Sequence, residues 1–204
     1  MVFRASLEKK GEKERVRAEL MRAALRLGAQ HGFASLGLRE VAREAGIAPT
    51  SFYRHFSDME ELGMAIIREL AGPVLRSWGA AAAAAGGDMA AALVDAMLTA
   101  AAHDPQLARF IVMERVGAFS GFRALLRAEL LQVSAGLQGA RSALDAATDL
   151  PPWAAETVMV VLMDGCLRAL DDAPSRLPGL CAGLVQSIGQ LLRAQLPAAG
   201  EVSR

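Results

Sequence analysis

The sequence predicts an all-α protein with an N-terminal three-helix helix-turn-helix domain and a larger helical domain, about nine helices in total. Residues of high helix propensity, mainly alanine, leucine, arginine and glutamate, dominate the chain. Apolar residues recur at the three- and four-residue spacing of helices, and no stretch shows the apolar–polar alternation of a half-buried strand. The chain has 204 residues, 53% of them apolar, which suffices for a well-buried core.

The first predicted helix covers residues 12–31. Leu20 and Leu27 lie on its apolar face and most of its charged residues lie elsewhere, so the helix is amphipathic. Gly32 suits its end, because glycine tolerates the backbone conformation that terminates helices.

Two short helices follow. The segment 38–45 is stopped by Gly46, and Pro49 suits the first turn of the next helix, 49–56. Two short helices joined by a tight turn, packed on an amphipathic helix, form a helix-turn-helix.

The rest of the chain divides at glycines, prolines and capping residues. Ser57 and Glu60 have capping-box spacing, and Gly72-Pro73 predicts a kink or break in the long helix that follows. Asp88 is the expected cap of the next helix. Asp104-Pro105 begins the one after it. The predicted helices are 58–85, 89–102, 105–119, 121–146, 152–170 and 177–195.

The last two predicted helices are apolar around most of their circumference. The segment 177–195 carries no charge between Arg176 and Arg193. Such helices must be covered on most sides, and packing against the same pair of a second copy gives a four-helix bundle around a two-fold axis. The alternative is that both helices form the centre of a monomeric core. The candidate dimer-interface residues are Trp153, Val160, Met163, Leu177, Leu180, Leu184, Ile188 and Leu191.

The charges are unevenly distributed although the net charge is zero. Residues 1–56 hold 11 Lys/Arg and 6 Asp/Glu, whereas residues 57–204 hold 11 and 16. A basic head on an acidic body suits a polyanionic partner at one end. An ordinary solvated helix explains the same charge count equally well.

Several functional classes are disfavoured. The N-terminus lacks the apolar stretch of a signal peptide, and Asp164 and Arg168 interrupt the best candidate for a membrane span, so we expect a cytoplasmic protein without membrane contact. Cys166 and Cys181 lie in apolar runs and should pack as small hydrophobes. The histidines are scattered, and no nucleophile–base or metal-ligand spacing occurs, so we expect no enzyme activity, metal or cofactor.

The helix after Gly46 carries an unusual set of polar residues. Phe52 and Phe56 form its apolar underside, which leaves hydroxyl, arginine, histidine and tyrosine side chains facing outward. These groups hydrogen-bond phosphates and base edges, and a bare helix fits the major groove. Each alone could be a packing or solvated residue, but the set favours DNA contact. The candidate DNA-contacting residues are Lys13, Arg39, Ala48, Pro49, Thr50, Ser51, Tyr53, Arg54 and His55.

Basic residues before this motif, including Lys13 and Arg17, could add phosphate contacts. For residues 1–10 a disordered cationic tail is an equal alternative.

The stretch "LREVAREAGIAPTSFYRHFSDMEEL", 38–62, resembles the DNA-binding signature of TetR-family transcriptional regulators. "FASLGLREVAREAGIAPTSFYRHFSD", 33–58, is more narrowly similar to the fatty-acid-responsive repressors of that family, of the FabR and DesT kind. The resemblance implies a DNA-binding domain over residues 1–58 and a ligand-binding and dimerisation domain over 59–204. It also implies a homodimer on a palindromic double-stranded operator.

The second domain offers a set of apolar and charged residues that could hold an effector. An apolar cavity with a few polar groups suits a lipid-like ligand, and the resemblance implies an acyl-CoA or similar amphiphile. Nearby arginines could bind CoA phosphates. The alternatives are that the Met/Phe stripe is ordinary core and the arginines are solvated. The candidate ligand-binding residues are Met97, Phe110, Met113, Glu114, Arg115, Phe119 and Phe122.

We therefore expect a repressor of lipid-metabolism genes. A gel shift on the promoter region next to the gene tests whether the protein binds DNA there. Two alternatives stay open: a repressor of an efflux or detoxification gene that responds to a hydrophobic small molecule, and a helical interaction protein that does not bind DNA.

Overall fold

The computed structural model of the protein describes residues 2–142 and 152–193, and in these ranges the secondary structure is entirely helical. Short 3-10 turns lie at Phe33–Ser35, Gly86–Asp88 and Pro174–Arg176. The helices are α1 (Val2–His31), α2 (Leu38–Glu44), α3 (Pro49–Phe52), α4 (Met59–Ile66), α5 (Gly72–Ala84), α6 (Met89–His103), α7 (Pro105–Glu114), α8 (Ser120–Ser142), α9 (Pro152–Asp171) and α10 (Leu177–Arg193).

Helices α1 to α3 form the predicted helix-turn-helix. Val41 of α2 and Phe52 of α3 are fully buried with Leu20 of α1. Gly46 takes a positive φ of 71°, a conformation that glycine adopts without strain, and this turns the chain from α2 toward α3. An ion pair from Arg26 of α1 to Glu44 of α2 also holds the two helices together, and Glu19 of α1 pairs with the same arginine.

The expected break at Gly72-Pro73 is replaced by a change of helical register. The segment Ile67–Ala71 is a π-helix between α4 and α5, and the residues that flank it keep right-handed helical dihedrals. Proline lacks the N–H for the α-helical hydrogen bond and crowds the carbonyl four residues earlier, and the wider π turn precedes it here. Because α4, the π segment and α5 form one rod, the described part of the chain holds nine helical rods, as predicted.

Both predicted caps differ from the structure. The N-cap of α4 is Asp58, whose Oδ1 accepts the backbone N–H of Glu61 at 2.7 Å, while Glu61 accepts the backbone N–H of Ser57. The capping pair therefore lies one residue later than the Ser57/Glu60 pair. Asp88 precedes α6 without a side-chain cap bond. Asp104-Pro105 begins α7 as predicted, and Asp104 caps this helix, accepting from the Leu107 N–H at 3.0 Å.

Glycines set the close packing of the second domain. A Cβ on Gly165 of α9 would come within 2.6 Å of the Leu184 side chain of α10, so these helices touch where the side chain is missing. Gly72 leaves room beside the ion pair of Arg76 in α5 with Glu129 in α8.

Cys166 is buried in the core of the second domain, and burial raises the pKa of its thiol to about 11.

Within the described ranges, none of the helices combines the length and apolarity needed to cross a bilayer, and no group of acidic, histidine or cysteine side chains could hold a metal ion.

Candidate nucleic-acid interface

The segment after Gly46 presents a polar outer face over a buried apolar underside. Tyr53 is 64% exposed, whereas its neighbours Phe52 and Phe56 are buried in the core of the N-terminal domain. Phe52 meets Tyr53 edge-on at 6.0 Å between ring centroids, which fixes the direction of the tyrosine. The other candidate DNA-contacting residues with exposed side chains are Lys13, Arg39, Ala48, Pro49, Thr50 and Arg54, and Ser51 is half-buried.

His55 departs from the outward orientation that the sequence suggested. Its side chain is half-buried, and its Nδ1 is shielded from solvent with no hydrogen-bond partner in the described part of the chain. Burial lowers the pKa of His55, and the positive charges of Lys13, Arg17 and Arg54 lower it further. We therefore describe His55 as a neutral side chain at the edge of the polar face, with basic residues around it.

Arg17 does not extend outward as a residue of a basic arm. Its guanidinium lies over the ring of Phe56, 4.3 Å from the centroid, and donates to the backbone oxygen of His55 at 3.1 Å. It also pairs with Glu69 of the π segment at 2.5 Å. Sequence reasoning missed the role of Glu69, because 52 residues separate it from Arg17 and no local pattern links them.

The phenylalanines expected around a ligand cavity pack on one another. Phe110, Phe119 and Phe122 surround Phe33 with ring centroids 5.3 to 6.1 Å away, all edge-on to it. Phe33 lies in the turn after α1, so the cluster joins the N-terminal domain to α7 and α8. Met97 is fully buried. Phe122 is buried in this cluster and Phe119 is partly buried against it, which agrees with the core alternative for these two candidate ligand-binding residues.

Glu114 and two of its predicted partners do line a cavity. This space of about 520 Å³ lies between the end of α1 with its following turn and α7, and Phe110, Met113 and Glu114 are among its walls. Glu114 is buried, and its Oε2 has no hydrogen-bond partner within the described ranges. Burial raises the pKa of its carboxyl, and the backbone N–H of Phe33 acts in the opposite direction.

Arg115 faces a different space from Glu114. It lines a groove of about 400 Å³ between α8 and α9, together with Arg123, Arg127 and apolar side chains that include Leu131 and Met159. Arg123 also donates to the backbone oxygens of the α7–α8 turn, Gly117 at 2.6 Å and Ala118 at 2.9 Å. The predicted ligand set is therefore divided between two sites and the core. Arg109 of α7 pairs with Asp171.

The candidate dimer residues divide in the same way. Met163, Leu184 and Ile188 are buried inside the subunit, so their assignment to contacts with a second copy is wrong: α9 and α10 bury this side against their own domain. Trp153 and Val160 remain about half exposed. The partly exposed members of the set are Leu177, Leu180 and Leu191.

Comparison with known proteins agrees with this geometry. Residues 20–66 match the family of bacterial regulatory proteins described as the tetR family. The whole fold is similar to the fatty acid degradation regulator FadR from Bacillus halodurans, with a TM-score of 0.72, 18% identity and coverage of 88% of this chain and 97% of that one.

Two further solved structures share the fold. One is the multidrug binding protein EbrR complexed with imidazole, with a TM-score of 0.64, 23% identity and coverage of 89% and 92% of the two chains. The other is a transcriptional regulator from Rhodococcus sp. Rha1, with a TM-score of 0.66, 18% identity and coverage of 86% and 95%.

At these identities the likeness shows the fold, and the matched domain supplies the class: a regulator of transcription, not an enzyme. Residues 20–66, which hold the helix-turn-helix, therefore match the tetR family of bacterial regulatory proteins, and with the helical second domain the chain has a fold similar to that of the solved regulators.

Proposed function

We propose that the protein is a sequence-specific repressor that reads a palindromic operator as a homodimer in the cytoplasm. The observation that carries this proposal is the exposed face of Thr50, Tyr53 and Arg54 above the buried rings of Phe52 and Phe56. Hydroxyl and guanidinium groups on α3 and on the turn that follows it suit base edges and phosphates in the major groove. Residues 1–58 would form the DNA-binding domain and 59–204 the effector and dimer domain.

The dimer would bring two reading heads onto one duplex. Trp153 and Val160 give α9 an exposed apolar surface, and Gly179 and Gly183 of α10 have open space where a Cβ would lie. Small residues allow a helix of a second copy to approach closely, and two-fold dimers are the commonest oligomers. Native mass spectrometry would report the dimer mass and any copurified effector together.

For the effector, the first candidate is an acyl-CoA or similar anionic amphiphile, which would make the target genes those of unsaturated fatty acid metabolism. The groove of Arg115, Arg123 and Arg127 beside Leu131 and Met159 combines cationic and apolar surface, which suits phosphates on a lipid chain. The fold neighbour FadR is by its description a fatty acid degradation regulator. Thermal melts with oleoyl-CoA and palmitoyl-CoA test this candidate, and no shift with either would remove it.

The second candidate is a hydrophobic small molecule without phosphates, with an efflux or detoxification gene as target. The cavity at Phe110, Met113 and Glu114 is mostly apolar and holds one carboxyl, and the fold neighbour EbrR is described as a multidrug binding protein. The variants Arg127→Gln and Glu114→Gln separate the two candidates, because each removes one charged group and affects only one of the two sites.

The DNA-binding proposal is tested by a gel shift on the promoter region next to the gene. Tyr53→Ala and Thr50→Ala should weaken specific binding while the dimer stays intact. Unchanged affinity in both variants, or no shifted band for the wild type, would favour the helical interaction protein that does not bind DNA.

A further inference from the structure

The side chain of Arg17 joins three parts of the molecule that are distant in sequence. From its position on α1, it donates to the His55 carbonyl just beyond α3 and stacks on the Phe56 ring. Its Nη2 and Nε face the two carboxylate oxygens of Glu69, at 2.5 and 3.5 Å. One guanidinium therefore ties the end of the DNA-reading segment to the rod that enters the second domain.

These contacts leave Arg17 poorly suited to bind phosphate. Its nitrogens are directed at the Glu69 carboxylate and the His55 oxygen, and one face of the guanidinium covers Phe56. An arginine with both edges engaged and its plane stacked is held in one orientation, which a lysine could not reproduce. Its side chain is also only 24% exposed, less than the 44% of Glu69.

Glu69 lies in the π-helical segment Ile67–Ala71, outside the helix-turn-helix and beyond the residues of the polar face. Its carboxylate is negative, so by simple electrostatics it opposes the approach of DNA. Its geometry suggests that it favours DNA binding, because Glu69 holds Arg17 in place and Arg17 contacts the end of the reading segment.

We propose that Glu69 is a positioning residue for DNA recognition, acting through Arg17 on the His55 carbonyl and the Phe56 ring. This inference rests on the proposed DNA-binding function. With Glu69 in place, the segment that carries Thr50 and Tyr53 keeps one orientation against α1. Without it, Arg17 loses its anchor, the segment samples several orientations, and binding must select one of them at a cost in affinity.

The proposal and simple electrostatics predict opposite signs for Glu69→Gln. Loss of a negative charge near a DNA-binding surface should strengthen binding or leave it unchanged. Loss of the anchor should weaken it. The matched control is Glu60→Gln, which removes an exposed carboxylate from the same rod without touching Arg17.

The experiment uses fluorescence anisotropy on the duplex that the wild-type protein enriches from a randomised double-stranded library. Affinity is measured over a salt series for wild type, Glu69→Gln, Arg17→Gln, the double variant and Glu60→Gln. We expect Glu69→Gln and Arg17→Gln each to weaken binding about fivefold or more. The double variant should be no weaker than Arg17→Gln alone, since both act through one contact.

The salt dependence separates positioning from phosphate contact. A lost phosphate contact lowers the slope of log affinity against log salt by about 0.9, whereas a lost anchor leaves the slope unchanged. The melting temperature of Glu69→Gln should change little, because the Glu69 carboxylate is 44% exposed and ion pairs of such groups contribute little to stability. For Glu69→Gln, a drop in affinity at constant slope and constant melting temperature supports the proposal.

Three results would overturn it: Glu69→Gln binding as tightly as Glu60→Gln, additive losses in the double variant, or a lower salt slope for Arg17→Gln. If wild type enriches no sequence, the DNA-binding function fails and the inference fails with it. If wild type binds a specific duplex and Glu69→Gln matches the control, only the positioning role fails.

Discussion

Gly63 lies directly under the ring of Phe122. A Cβ built on Gly63 would come within 2.0 Å of the Phe122 Cζ and within 2.7 Å of the two neighbouring ring carbons. Both residues are buried, Gly63 in α4 and Phe122 in α8. The absence of a side chain at this one position lets the aromatic cluster seat against the rod that leaves the DNA-binding domain.

Gly63→Ala should therefore destabilise the protein in spite of alanine's higher helix propensity. The added methyl forces the ring or the rod to move, and overpacking of this kind typically costs about 1–3 kcal/mol. Gly139→Ala is the matched control in α8, because a Cβ there meets nothing within 4 Å. Urea unfolding measures both. Gly63→Ala as stable as wild type would mean that Phe122 does not pack as described.

Asp58→Ala should cost about 1 kcal/mol of stability, the usual value of a helix N-cap. Asp58 Oδ1 accepts the N–H of Glu61 at the start of α4, and alanine leaves that N–H without its partner. Ser57→Ala is the discriminating control, since Ser57 serves the cap mainly through its backbone N–H. A larger loss of stability for Ser57→Ala than for Asp58→Ala would identify Ser57, the residue that the sequence pattern favoured, as the N-cap.

Glu114 should make the protein less stable as pH rises from acid to neutral. Burial raises the folded-state pKa of its carboxyl above the ordinary value, so its contribution is fully present below the unfolded-state pKa and is lost as pH rises through the folded-state pKa. Glu114→Gln removes this pH dependence. The variant should be more stable than wild type at neutral pH, and this difference should disappear in acid. Urea unfolding at several pH values checks the sign. A stability advantage of Glu114→Gln over wild type that grows in acid would contradict the raised pKa of Glu114.

Lys13→Gln should weaken DNA binding without changing its sequence preference. Lys13 is exposed on α1 near His55, whose pKa it lowers, and a lysine there suits a phosphate. The salt slope should fall by about 0.9. Identical slopes for Lys13→Gln and wild type would exclude the phosphate contact.

Thr50→Ala should instead reduce the ratio of the affinity for the operator to the affinity for an unrelated duplex, because Thr50 lies on the face proposed to read bases.

The amino-acid sequence alone determined the local features of the fold, those that depend on residues close together along the chain. The helical spacing of apolar residues, the glycine at position 46 and the proline at 49 predicted the helices and the turn, because each is set within one or two turns of backbone. The predicted third helix, 49–56, is shorter in the structure and ends at Phe52, so Tyr53 and Arg54 lie in the turn beyond it. Exact caps were less certain: Ser57 and Asp58 are both good N-cap residues, and the folded chain uses Asp58.

Only the tertiary structure decided which apolar faces meet and which charges pair. Met163, Leu184 and Ile188 fit a dimer seam by spacing, yet they are buried in their own subunit. Phe33 joins the cluster of Phe110 and Phe122 from another domain. Periodicity specifies that a face is apolar but does not specify its partner, because any complementary surface relieves the same exposure to water. The pairing follows from packing the complete chain at once.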